Sequence, residues 1–338
     1  MTHDNGGPRW GVIGTGGIAH SFLEGLRASS SSRAVAVGSR TLARAEEFAD
    51  AWDVPGRHGS YAELADSPDV DVVYIATPHP WHHEAALLCL KAGKHVLVEK
   101  PMAMNALQVS QMVGAARDND RFLMEAMWTR YLPVYRRVRD LVADGALGEV
   151  RWISAEFGFN APYDPDHRLF NADLGGGALL DLGVYPLALA SHFLGDLTVV
   201  GATRELSPDR MVDVQTTILL RGQDGGTASV SCASRRTLPN RAVLAGSRGW
   251  VEMPAFWAGT EAVLHRDGHE PEALHEPFRA NGYEFEADEV ARCLAAGERE
   301  SPDMPWAESL RLARLMDQVR DMGGLVYSAP TVKAVPLG

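Results

Sequence analysis

Only four of the 32 basic residues in this chain are lysines: Lys91, Lys94, Lys100 and Lys333. Lys100 stands between Glu99 and Pro101, directly after His95 to Val98, an apolar run that reads as a short buried strand. Open α/β sheets bind ligands outside the carboxyl ends of their strands, which is where this Glu-Lys pair falls. A buried lysine can give up its proton and an arginine cannot, so Lys100 is a candidate acid or base. Asp181 and Tyr185 form the second candidate set. Gly175-Gly176-Gly177 opens a predicted helix on which these two are spaced i, i+4 and share a face. On an otherwise apolar helix a carboxylate and a phenol need polar partners once buried. Amine, carboxylate and phenol are groups that hold or move a proton in general acid–base catalysis. Each set also has a plain structural reading: a charge pair on a solvated loop, and a buried tyrosine bonded to an aspartate.

The elements that must position these groups alternate strand and helix through the first 130 residues. Arg9 to Ile13 reads as a strand running into Gly14-Thr15-Gly16-Gly17-Ile18-Ala19, a G-x-G-x-x-A turn, and then a helix from Ile18 to Leu26. The first glycine permits the tight turn, the second lets a pyrophosphate approach, and the helix N-terminus offers N–H groups and a positive dipole. The second strand, Ala34 to Gly38, ends in Ser39-Arg40 with Arg44 a turn later. An NAD-preferring fold carries an acid at this point, whereas serine and arginine suit a 2′-phosphate, so NADP is expected over NAD. Helices are predicted over Leu42 to Trp52 and from a Ser60 cap, the latter bringing Tyr61 towards the cofactor. Val70 to Ala76 is a nearly continuous apolar strand leading to Thr77-Pro78-His79-Pro80-Trp81-His82-His83. Pro80 breaks the helical pairing of His79 with His83, so these histidines are read as cofactor contacts and no metal is expected. Helices Glu84 to Ala92 and Ala106 to Ala116 and a strand Arg121 to Met124 complete a parallel doubly wound sheet.

The alternation stops near residue 130. After a helix over Pro133 to Ala146 the pattern has period two. Val214 to Arg221 and Thr227 to Ser234 flank the hairpin signal Gly222-Gln223-Asp224-Gly225-Gly226, and further strands are predicted at Arg241 to Ala245, Trp250 to Met253 and Ala262 to His265. Helices over Phe285 to Ala296 and Trp306 to Met322 follow, the second capped by Gly323-Gly324. The fold class is α/β: a Rossmann doubly wound parallel sheet over residues 1–128, and a second, α+β domain over 129–338 with an antiparallel sheet that needs cover on one face. A net charge of −12 argues against nucleic acid. No apolar run is read as long enough to span a membrane, and residues 1–8 lack signal-peptide character. Cys89, Cys232 and Cys293 are odd in number and scattered, which fits a reducing, cytoplasmic setting.

These motifs, in this order, resemble the glucose–fructose oxidoreductase/inositol dehydrogenase (Gfo/Idh/MocA) family. Gly14 to Ala19, Thr77-Pro78 with His82, Glu99-Lys100-Pro101 and Gly175 to Tyr185 carry the resemblance, which spans essentially the whole chain. Within the family, His79-Pro80, Met124 to Arg130 and Tyr185 are similar to the dimeric dihydrodiol dehydrogenase and NADP-linked D-xylose dehydrogenase branch, and to some sugar 3-ketoreductases. Many other members carry histidine where Tyr185 stands, so use of a histidine base is in doubt. The resemblance implies an NADP-binding first domain, a substrate-binding and oligomerisation second domain with a large, mostly antiparallel sheet, a homodimer, and a hydride passing between nicotinamide and a carbinol or ketone carbon of a sugar, polyol or cyclic diol. Tyr185 is then the proton acceptor with Lys100 favouring the phenolate, or the two roles are reversed; either needs a pKa well below that of the free side chain. Asp181 orients substrate or Tyr185, and Trp128, Arg130, Phe157 and Arg168 are candidates for the substrate wall. Other readings of the same scaffold are a biosynthetic sugar ketoreductase, a non-catalytic NADP-binding regulator, and an enzyme recycling a tightly held cofactor.

Overall fold

The computed structural model describes residues 6–29 and 32–322. The chain divides into two compact units. Of the described residues, the first gathers those up to Tyr131 together with Arg279–Leu310; the second gathers Leu132–Phe278 and residues 311–322.

The first unit opens with β1 (Arg9–Ile13), α1 (Gly17–Ala28), β2 (Arg33–Gly38), α2 (Leu42–Trp52), β3 (Gly56–His58), α3 (Tyr61–Asp66) and β4 (Val72–Ile75). It continues with α4 (His82–Lys91), β5 (His95–Glu99), α5 (Ala106–Asp118) and β6 (Leu123–Ala126). The strands pair in parallel in the order β3-β2-β1-β4-β5-β6, the doubly wound arrangement of a dinucleotide-binding sheet. Every residue of β4 and all but the first of β5 are buried, as expected where helices cover both faces of a parallel sheet. Short β3 escaped sequence reading because three residues carry no periodicity.

The second unit contains α6 (Pro133–Ala143), β7 (Val150–Gly158), α7 (Val184–Leu194), β8 (Leu197–Leu206), β9 (Asp213–Gly222) and β10 (Thr227–Ala233). Strands β11 (Arg241–Gly246), β12 (Gly249–Pro254), β13 (Glu261–Arg266) and β14 (Glu272–His275) complete it. The sheet runs β14-β13-β12-β11-β7-β10-β9-β8, and its one parallel pair is β10 with β7. The predicted hairpin joins β9 to β10 with Arg221 opposite Thr227. Strands β8 and β14 were not anticipated.

Two further differences from the sequence reading have physical causes. The helix carrying Asp181 does not begin as a regular α-helix: Leu179–Gly183 is a π-turn that passes into α7. Pro186 has no N–H to offer the Leu182 carbonyl, so the ladder cannot run regularly through this point. The run Ala172–Leu194 is also long and apolar enough to cross a membrane by length and composition, contrary to expectation, with a mean hydropathy of 1.3. Of that window 83% is buried inside the protein, which is the behaviour of a core helix.

The chain then returns to the first unit through α8 (Tyr283–Ala295), and α9 (Trp306–Asp321) follows. A single cut between 128 and 129 does not capture this return. Its cause is the close approach of α8 to α1: a Cβ at Gly25 would lie 2.7 Å from Tyr283 Cβ and 2.8 Å from the Glu284 nitrogen. The buried Glu284 carboxylate shapes the entry by accepting the N–H groups of Arg279, Ala280 and Gly282 at 2.9, 2.9 and 2.7 Å. The predicted Gly323-Gly324 cap and Lys333 lie outside the described residues.

Candidate active site

In the first unit the glycine turn has the shape its sequence demands. Gly14 adopts φ +98°, and a Cβ there would lie 2.7 Å from the Ala76 carbonyl oxygen, so no other residue fits. A Cβ on Gly16 or Gly17 would enter open space, leaving exposed backbone at the start of α1 beside half-buried Ile18. At the end of β2, Ser39 is buried and its N–H donates to the His58 carbonyl, while Arg40 and Arg44 are exposed. Arg40 lies near the Tyr61 phenol, which burial pushes up and the guanidinium pulls down. Beyond β4, Thr77 is buried and its Oγ1 meets no partner among the described residues. An open glycine cradle and an orphaned hydroxyl, both at carboxyl ends of parallel strands, fit a dinucleotide. Among the described residues no group of three or more His, Cys, Asp or Glu is arranged to hold a metal.

Four buried side chains build the turn that carries Lys100. Glu99 accepts the Tyr74 hydroxyl on Oε1 at 2.5 Å and the Lys100 backbone N–H on Oε2 at 3.1 Å. Burial and the Glu99 carboxylate push the Tyr74 phenol well up, so it stays protonated and donates. The ring nitrogens of His82 lie 2.9 Å from the Pro101 carbonyl oxygen and 2.7 Å from that of Thr77, which ties the β4 and β5 ends together. Burial lowers this imidazole to about 4, so the ring is neutral and its single N–H donates to one of these two carbonyls at a time. Its solvent exposure is zero, so its influence on a ligand passes through Thr77 and Pro101. His79, also buried, meets it edge-on at 5.7 Å, and Pro78 is exposed. Glu125, on β6 beside β5, accepts the Met102 N–H at 3.0 Å. Lys100 itself is partly exposed at the end of this frame.

Trp128 and Arg130 stand on the short turn after β6. Trp128 is 8% exposed and stacks on Tyr283 with ring centroids 4.5 Å apart. The Arg130 guanidinium is 4% exposed; it reaches Glu308 Oε1 at 2.5 Å and donates to the Asp303 carbonyl at 3.0 Å. These bonds hold the returning segment against β6, with the Trp306 indole N–H donating to the Leu123 carbonyl at 2.8 Å.

The second unit brings together Phe157, Arg168, Asp181 and Tyr185. The Tyr185 ring, almost wholly buried, meets Phe157 edge-on at 5.7 Å, and Phe157 stacks on Trp257 at 3.7 Å. Asp181, also buried, accepts from the exposed Arg168 at 3.1 Å. The loop bearing Arg168 is pinned by Gly176, where a Cβ would lie 2.8 Å from the carbonyl oxygens of Arg168 and Leu169. Asp213 anchors the π-turn: its Oδ2 accepts the Leu179 N–H and the Thr216 hydroxyl, each at 2.8 Å. Sequence reading missed Asp213, Trp257 and Glu125. Each acts across distant segments; Asp213 and Trp257 stand in no local pattern, and Glu125, though inside the Met124 to Arg130 run, shows its role only through Met102 on the neighbouring turn.

A parallel sheet in this order, its glycine turn and a partner unit built on a mixed sheet define an NAD(P)-binding oxidoreductase. Residues 8–127 match the model of the oxidoreductase family with an NAD-binding Rossmann fold, and residues 135–252 match the GFO/IDH/MocA C-terminal domain. The chain belongs to the Gfo/Idh/MocA family of oxidoreductases. It is 40% identical over 331 residues to trans-1,2-dihydrobenzene-1,2-diol dehydrogenase of Mus musculus, covering 94% of this chain and 98% of that protein. Among solved structures, a 3-ketoreductase from Actinomadura kijaniata in complex with NADP and TDP-benzene superposes with a TM-score of 0.83 at 33% identity, covering 93% of this chain and 97% of that one. The aldose–aldose oxidoreductase from Caulobacter crescentus, complexed with glycerol, gives a TM-score of 0.87 at 26% identity, covering 94% and 98%.

Proposed function

We propose that this oxidoreductase uses NADP to oxidise or reduce a carbinol or ketone carbon of a sugar, polyol or cyclic diol. The observation that carries the cofactor choice is the end of β2, where Ser39 and Arg40 stand in place of an acid and the exposed guanidinium lies near Tyr61. A guanidinium there suits a 2′-phosphate, and Arg44 offers a second. The exposed backbone at Gly16 and Gly17 would hold the pyrophosphate, and the Thr77 hydroxyl would take a hydrogen bond from or to the dinucleotide. When bound, NADP supplies the hydride acceptor, or NADPH the donor.

The chain's own residues then handle the proton and the substrate. Tyr185 takes the hydroxyl proton as the carbinol carbon becomes a carbonyl, and returns it in reduction. Lys100 takes part in the proton transfer and holds the nicotinamide ribose. Asp181, oriented by Arg168, accepts a neighbouring substrate hydroxyl. Phe157 and Trp257 form an aromatic wall beside the phenol, and Trp128 and Arg130 support the turn after β6. The names of the relatives, a dihydrodiol dehydrogenase and sugar oxidoreductases, support a polyhydroxylated or diol substrate.

The working form in this proposal is a cytoplasmic homodimer. Trp152, Leu219 and Trp250 are 46, 52 and 36% exposed on the second unit's sheet, with Trp250 stacked on His265 at 3.7 Å. Such large apolar groups on one sheet suit contact with a second copy. The three cysteines are buried free thiols, in keeping with a reducing compartment.

The test is a screen of trans-1,2-dihydrobenzene-1,2-diol, D-xylose and other aldoses with NADP and NAD in parallel, followed by absorbance of the reduced nicotinamide. At least one substrate should raise that absorbance, and with NADP more than NAD. NADP binding without turnover in either direction across the panel would favour a non-catalytic regulator instead.

A further inference from the structure

We propose that Glu125 is a positioning residue for Lys100: it holds the Met102 end of the turn that carries the lysine, and its ionisation changes how firmly that turn is held. This rests on the reading that Lys100 takes part in the proton transfer.

Strand β6 pairs with β5 so that Glu125 lies opposite Val98, two residues before Lys100. The Glu125 side chain is 2% exposed. Its Oε1 accepts the Met102 N–H at 3.0 Å, and its Oε2 has no partner among the described residues. The groups that face it come from two other elements: Arg130 on the turn after β6, and Glu308 with the Ser309 hydroxyl at the start of α9. Arg130 is already in ion-pair contact with Glu308, both nearly inaccessible to solvent. Two carboxylates therefore share one guanidinium in a buried cluster, and the one without the ion pair holds the proton more tightly. Burial pushes Glu125 up to about 7; the Ser309 hydroxyl, the Met102 N–H and Arg130 act against this, and Glu308 adds to it.

Glu125 therefore passes between acid and carboxylate in the neutral range. A hydrogen bond from an N–H to a carboxylate is roughly twice as strong as one to a neutral carbonyl. Glu99 accepts the Lys100 N–H of the same turn whatever the state of Glu125, so the Met102 bond is the one whose strength follows Glu125.

The scarcity of lysine makes the effect directly readable. Trace acetylation with acetic anhydride across the neutral range, followed by peptide mass spectrometry, gives the reactivity of Lys100 relative to exposed Lys91. In the wild type this ratio should change by about fivefold across a midpoint near neutrality, the equivalent of exchanging a neutral for a charge-assisted bond. In Glu125→Gln, which keeps the acceptor and cannot ionise, the ratio should lack that step. The same step in both proteins would overturn the proposal. If Glu125→Gln does not fold, isotope-edited infrared spectra of the wild type answer the question: a carboxylic acid band lost in parallel with the labelling step supports it. A carboxylate already formed in mildly acidic buffer overturns it. Lys100→Met separates the two claims. Unimpaired turnover in that variant removes Lys100 from the reaction while leaving the labelling result intact, whereas an unchanged labelling profile removes Glu125 alone.

Discussion

Nη1 of Arg168 donates to Oδ1 of Asp181 at 3.1 Å, so that a guanidinium 55% exposed is tied to a carboxylate only 6% exposed. The pair lies in the same unit as Tyr185, and Asp181 stands on the π-turn that leads into the tyrosine's helix. If Asp181 orients a substrate hydroxyl, Arg168→Ala should raise KM for that substrate by about tenfold with a smaller effect on kcat. Global stability should change by less than ~1 kcal/mol, because the guanidinium is well solvated. Steady-state kinetics and a thermal melt check both; a fall in kcat with KM unchanged would contradict the assignment.

Gly176 keeps that geometry in place. Its Cα faces three backbone carbonyl oxygens, of Arg168, Leu169 and Asn171, at 2.8, 2.8 and 2.9 Å from where a Cβ would stand. Backbone cannot move aside as a flexible side chain does. Gly176→Ala should cost about 1–3 kcal/mol of stability, read from the urea midpoint. An unchanged midpoint would mean that the loop has room the structure denies it.

Cofactor preference has its own test. Arg40→Asp should weaken NADP by at least about tenfold, the loss of one charge-assisted bond, and leave NAD unchanged or improved. Fluorescence titration of NADPH and NADH against both proteins measures this. Equal loss for the two cofactors would count against a 2′-phosphate contact.

Much of the first unit was legible because its signals are local. The G-x-G-x-x-A turn, the apolar runs at β4 and β5 and the acid-free end of β2 each occupy a few consecutive residues, and the parallel sheet follows from their alternation. The return of Arg279–Leu310 was not legible, because its evidence is a close approach at Gly25 to residues more than 250 positions away. The same holds at the site. Lys100, Asp181 and Tyr185 stand in recognisable motifs, but what holds them is supplied from afar: Asp213 anchors the turn of Asp181, and Glu125 the turn of Lys100. The π-turn was hidden for another reason, since an i, i+4 spacing looks the same in sequence whether or not the helix is regular.

Glu125 also makes a prediction about stability. Its ordinary value of 4.5 applies in the unfolded chain, and in the folded chain burial raises it to about 7. Between these limits the folded state holds a proton that the unfolded state has lost. The resulting stabilisation is fully present below the lower limit and is lost as pH rises through the upper one. Glu125→Gln lacks this dependence. The stability of the variant relative to wild type should therefore increase with pH across that window, by up to about 1.4 kcal/mol per pH unit. Denaturant unfolding of both proteins in mildly acidic and mildly alkaline buffer measures the slope; parallel behaviour would place the group's titration outside the window.

In the proposed reaction Tyr185 exchanges the proton while a hydride moves to or from NADP. Its most direct test is the turnover of Tyr185→Phe on the best substrate of the screen, with NADPH affinity measured on the same preparation. Proton transfer by the phenol, with no part in cofactor binding, predicts a fall in kcat of about 10²-fold or more with affinity nearly unchanged. A variant that turns over at close to the wild-type rate would contradict it.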